Sequence, residues 1–230
     1  MRKTDVALLS LIVVGLMLVP SSVSAGKSTV TTVPDRTGDL GKYNVYIIVG
    51  DTKAVAQVDN SWGENAPVLK AEYVDMVSVS FGMVRDTYVF GMKLAADLPR
   101  SGDPLPPGIR YVGYNLWIES CPWDPTSPII PKTYYQVSLE FDGSSYTVYL
   151  YDAAAGTLTS LPSSCITMID ARTFQIRISP DLLGDLNSFW WSGCTYLAKQ
   201  YPYAWPWITD LIDPGNDQGQ VGTDFPWPPV

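Results

Sequence analysis

From Tyr43 to Ser179, apolar and polar residues alternate in one short stretch after another, each closed by Gly, Pro, Asn or Asp. A period of two puts successive side chains on opposite faces of a β-strand. In "YVDMVSVSFGMV", Val77, Val79 and Phe81 alternate against Ser78 and Ser80. In "DTYVFGMKLAADLP", Tyr88, Phe90, Met92 and Leu94 share one face. "RYVGYNLWIES" repeats the pattern. "YNVYIIVG" and "TKAVAQVD" flank Gly50-Asp51 as a hairpin, and "TYYQVSLEFD" and "SYTVYLYD" turn at Asp142 to Ser145. "CITMID" and "TFQIRIS" make a further pair across Ala171-Arg172. A parallel sheet needs crossover connections of a dozen or more residues, and the spacing leaves no room for them. The expected fold is therefore all-β: an antiparallel β-sandwich, jelly-roll-like, of about eight or nine strands. The one helix signal is "SPDLLGDLN", where Ser179 is placed to cap, Pro180 suits the first helical position, and Gly184 keeps the helix short.

Two segments depart from this pattern. Residues 97–109, "DLPRSGDPLPPGI", form a Pro-rich loop. Residues 201–230 hold six prolines and three tryptophans, an irregular tail that wraps over the sandwich edge or stays extended, because proline removes ladder donors.

The start of the chain is read as a secretory signal peptide. Arg2 and Lys3 precede an apolar run from Val6 to Val19, Pro20 ends the run, and Val23 and Ala25 occupy the small-residue positions of a cleavage site. The run is short for a permanent span, which wants about 20 apolar residues. The expected organisation is residues 1–25 as signal, 26–200 as the sandwich and 201–230 as the tail. The chain is then extracellular, secreted or held at the cell surface, with no stable membrane insertion after cleavage.

Charge narrows the partners. The chain carries 15 Lys and Arg against 23 Asp and Glu; without Arg2, Lys3 and Asp5 the balance is 13 against 22, a net of −9. An acidic chain without a basic stripe is a poor ligand for nucleic acid, whose phosphates call for Lys and Arg.

There is no histidine. That removes Ser-His-Asp and Cys-His catalysis and HExxH metal chemistry. A glycosidase needs only two carboxylates, and Glu119 and Glu140 fall near strand ends. The plainer reading is that any exported sandwich has some glutamates there, so the expectation is a protein that is not an enzyme. Three cysteines in an exported chain suggest one disulfide and one free thiol, and three pairings are open. Cys165–Cys194 is preferred, because Cys121 sits in the Pro-rich "ESCPWDPTSP"; the alternative is three small buried hydrophobes.

Two further features point to binding. "DRTGD" and "DLIDPGND" combine acids with turn residues that expose carbonyls, the donor set calcium takes; the simpler role for such aspartates is to close turns through their own backbone. The chain also holds 8 Trp and 14 Tyr. Trp190-Trp191 must send one ring to each face of a strand, so one of them points outward. Exposed flat aromatics stack on sugar rings and also make protein interfaces, while buried ones are simply core.

The order of "DRTGD", "YVDMVSVSF", "YVFGMKLAADLP" and "TDLIDPGNDQG" over roughly residues 35–219 resembles the secreted DOMON-like β-sandwich domains and is similar to family 9 carbohydrate-binding modules. The resemblance implies a sandwich that binds rather than catalyses, with polysaccharide or another surface polymer as partner. It also implies a calcium cofactor held by acids of the first loop and the last segment: Asp35, Asp39, Asp213 and Asp217 here, with Asp75 less firmly matched. Its aromatic clamp has no firm counterpart; Trp117, Trp123 and Trp190 are the candidates. A second reading is a structural subunit of a filament or coat that self-assembles by donating a terminal strand. "GKSTVTTV" has the pattern for donation, although the same residues serve equally as the first strand of their own sheet.

Overall fold

The computed structural model describes residues 28–35, 37–38, 44–49, 52–57, 71–105, 108–121, 132–184, 186, 188–198, 207–211 and 225–227; for 44–49, 52–57, 71, 207–211, 225 and 227 it describes backbone only. In chain order the strands are β1 (Thr29–Pro34), β2 (Asn44–Val49), β3 (Thr52–Gln57), β4 (Met76–Val84), β5 (Thr87–Leu94), β6 (Tyr111–Glu119) and β7 (Thr133–Phe141). They continue as β8 (Tyr146–Asp152), β9 (Thr157–Leu161), β10 (Ile166–Met168), β11 (Thr173–Ile178), β12 (Phe189–Ala198), β13 (Trp207–Leu211) and β14 (Phe225–Trp227).

All the pairings are antiparallel. One sheet runs β1-β4-β5-β11-β10, and the other runs β13-β12-β6-β7-β8-β9, with β14 also on β12. β2 and β3 pair with each other as a hairpin, from Asn44↔Gln57 to Val49↔Thr52. The all-β sandwich expected from the alternation is the observed fold.

The inner faces of the two sheets make the core. From one sheet come Val79, Phe81, Phe90, Met92, Phe174 and Ile176; from the other come Leu116, Ile118, Val137, Leu139 and Trp191. Each such side chain removed from water contributes about 1.5–3 kcal/mol. Phe81 sits 5.6 Å from the Trp191 ring and 5.7 Å from Phe189, which ties the sheets together through aromatics. At Gly193 the sheets approach closely: a Cβ there would lie 3.0 Å from both Val79 methyls of the facing sheet. Thr195 also points inward and donates to the Val74 carbonyl at 2.6 Å.

Several local expectations hold. Tyr88, Phe90, Met92 and Leu94 are all buried on one face of β5. The β7–β8 turn is closed by Asp142, whose Oδ1 accepts the Ser144 and Ser145 amides at 2.8 Å, while Gly143 takes a left-handed φ of 92°. β10 and β11 pair as foreseen.

Others need correction. A bulge between Met76 and Ser78 shifts the phase of β4, so Met76 rather than Val77 joins Val79 and Phe81 in the core. The short helix is a single 3-10 turn, Pro180–Leu182: Pro180 stands at its start, Ser179 makes no side-chain cap, and Gly184 (φ 59°) follows directly. Short 3-10 turns at Ala71–Val74 and Ser163–Cys165 complete the helical content of the described residues.

The expected Cys165–Cys194 disulfide is not formed; none of Cys121, Cys165 and Cys194 is bridged. Gly193 and Thr195 point inward, so Cys194 between them faces outward from its sheet, while Cys165 packs against the core between the sheets. The two thiols lie on opposite sides of one layer.

The tail contributes two strands. β13 and β14 lie end to end along the outer edge of β12. Trp207–Leu211 contains no proline, and Pro226 sits in a three-residue edge strand, where the missing donor is tolerated.

Candidate binding face

The outer face of the larger sheet is where the sequence candidates converge. Register places its side chains in rows across the strands. One row reads Ser192 (β12), Trp117 (β6), Gln136 (β7), Tyr151 (β8), Leu158 (β9). The row beside it holds Trp190 opposite Glu119, with Thr133 Oγ1 donating to Glu119 Oε1 at 3.2 Å. On the other side lie Cys194, Asn115, Ser138, Tyr149 and Ser160, and beyond them Tyr196, Gly113, Glu140 and Thr147.

Trp117 and Trp190 are thus diagonal neighbours on adjacent strands, about 7–8 Å apart at this register and within reach of each other's rings. Both are half-buried, while Tyr151 is 36% exposed and Leu158 44%. Trp191, on the opposite face, is buried in the core, so the Trp-Trp pair splits as strand geometry requires. Trp123 lies outside the described residues.

Polarity rises along the face. Asn115, Glu119, Ser138, Glu140 and Ser192 are all buried although they point away from the core. Tyr196 lies across Gly113, where a Cβ would fall inside its ring, and its hydroxyl donates to Glu140 Oε1 at 2.7 Å. Burial pushes the Glu140 carboxyl up to about 7, against the lowering effect of the Tyr196 bond. The Tyr196 hydroxyl is pushed well above its ordinary range, by burial first and then by the neighbouring Glu140. The side chains that β6, β7, β8, β9 and β12 place on this face include no Lys or Arg.

Glu119 and Glu140 do not form a catalytic pair. Glu140 opposes Gly113, six residues along β6 from Glu119, which separates them by roughly 20 Å at strand rise. Glycosidase carboxyls stand about 5–9.5 Å apart.

The acidic loops are partly visible. Asp35, half-buried, donates its backbone N–H to the Val77 carbonyl at 2.8 Å. Asp75, buried, takes the Gly38 N–H on both oxygens, at 3.1 and 2.9 Å, and so fixes the left-handed Gly38 turn of "DRTGD". The fold therefore brings the Asp35 loop against Asp75. Among the described residues no group of three or more Cys, Asp or Glu side chains is arranged to hold a metal ion. Asp39, Asp213 and Asp217 lie outside the described residues. So does the apolar run of residues 6–19; among the described residues no helix is long and apolar enough to cross a membrane.

The strand considered for donation, β1, pairs along its whole length with β4 of its own chain. The chain matches no family model, no curated protein and no solved structure.

Proposed function

We propose that this chain is an extracellular, non-catalytic binding module for a polysaccharide or another cell-surface polymer, as its likeness to DOMON-like domains implies. One observation carries the reading: Trp117, Trp190 and Tyr151 gather on a single sheet face, interleaved with Ser192, Gln136 and Glu119. Flat rings supply stacking area at low entropic cost, and the amide and hydroxyls between them supply hydrogen bonds to sugar hydroxyls. The absence of Lys and Arg among the described strand residues of the face favours neutral over anionic polymers. Calcium belongs to the same reading, as a brace between the first acidic loop, with Asp35 and Asp39, and the last acidic segment, with Asp213 and Asp217.

The test is depletion of the protein from solution onto a panel of insoluble polysaccharides, with calcium and then with EDTA. Retention is expected on at least one neutral polymer, and Tyr151→Ala should weaken it roughly tenfold, the scale of one aromatic stacking contact. Loss in EDTA assigns the aspartates to calcium; retention that survives EDTA leaves them as turn residues. No retention on any polymer sinks the proposal.

A further inference from the structure

A β-sandwich must protect the open edges of its sheets, because each edge offers unpaired N–H and C=O groups to any passing strand. The four edges here are treated differently. Beyond β12 the edge is β13, which carries Asp210 and a bulge in its pairing at Thr195/Tyr196, and β14, three residues long with Pro226. β1 ends in Pro34, and β10 is only three residues long. β9, Thr157–Leu161, has none of these devices. It pairs with β8 in unbroken register, contains no proline, no charge and no bulge, and exposes every residue except Leu161.

We infer that β9 is a docking edge for a second copy of this chain, paired antiparallel to its own counterpart about Thr159. Three features select a second copy. First, the strand is self-complementary in that register: Thr159 meets Thr159 of the other copy, an arrangement that cross-strand threonines favour, and Leu158 meets Ser160. Alternation keeps Leu158 and Ser160 on the outer face in both copies. Second, the pairing covers the exposed apolar side chain of the edge strand, Leu158 (44%), and leaves Tyr151 on β8 open. Third, each chain carries a net charge of −8, yet β8 and β9 hold one charged residue between them, Asp152. Asp152 lies at the hairpin end, with its Oδ1 turned to the Ala154 and Ala155 amides, so the two copies place it at opposite ends of the joint. Two acidic chains meet at this edge without bringing carboxylates together. A two-fold joint also consumes both open edges and closes the assembly at two.

The experiment uses light scattering after size exclusion on the full chain, over a range of concentrations, for wild type, Leu158→Lys and Thr159→Cys. The expected result is a dimer of wild type that reverts to monomer in Leu158→Lys with an unchanged circular dichroism spectrum. Thr159→Cys should give, on mild oxidation, a covalent dimer in clear excess over wild type, which controls for the three native thiols. A wild-type monomer at every concentration overturns the inference. So does a dimer indifferent to Leu158→Lys, or a Thr159→Cys variant no more cross-linked than wild type, since either puts the joint elsewhere.

Discussion

Glu140 shows what a single side chain contributes when a sheet's outer face is buried. Its ordinary pKa of 4.5 is raised to about 7 in the folded chain. A carboxyl raised on folding adds stability that is fully present below pH 4.5 and is lost as pH climbs through 7. The difference corresponds to on the order of 3 kcal/mol. Glu140→Gln keeps an acceptor for Tyr196 and removes the charge. Its melting temperature should therefore change less than wild type's between pH 4.5 and 8, and should exceed wild type's at pH 8. Parallel profiles in thermal melts would show that Glu140 does not set the slope. Residues such as Trp190 and Trp191 could be assigned to opposite faces from sequence, because adjacency on a strand leaves no other choice. The partnership of Glu140 with Tyr196 could not, because it joins β7 to β12 across β6. The one trace in the sequence is Gly113 between Val112 and Tyr114, a glycine inside a strand where another group approaches closely.

Among the elements, β12 has the most neighbours to lose. It is buried along nearly all of its ten residues and is flanked by β6 on one side and by β13 and β14 on the other. Ending the chain after Ala198 would leave a long apolar strand as a free edge, which is the condition for sheet-to-sheet aggregation. The truncated chain should partition into the insoluble fraction while the full chain stays soluble, and a soluble monomeric truncation would contradict this. Strands with strict alternation, β5 above all, were legible from sequence because the pleat forces the pattern. β4 was misread by one residue at its start because a bulge adds a residue that periodicity cannot anticipate. β13 and β14 were hidden by the prolines around them, and their pairing with β12 is a long-range event with no local signature.

For the molecule as a whole, stability rests on packing between two sheets rather than on a covalent link. None of the three cysteines is in a disulfide, and Cys194 is fully buried. A reducing agent should leave the melting temperature unchanged, and a thiol reagent should count three cysteines in denaturant but react slowly with Cys194 in the native protein. A drop in melting temperature on reduction would restore a disulfide. Composition and alternation were enough to give a sandwich, since no helical crossover fits the spacing. They could not give the binding face, because a face depends on register: Trp117, Gln136 and Tyr151 share a row only once three strands are aligned.

The buried carboxyl of Glu140 also makes this protein's folding a proton reaction. At pH 6 the folded chain holds a proton on Glu140 that the unfolded chain gives up to the buffer. Calorimetric unfolding heats at that pH therefore contain the buffer's own heat of protonation. The apparent enthalpy should be smaller in an amine buffer, whose protonation is exothermic, than in phosphate, and the gap should close in Glu140→Gln.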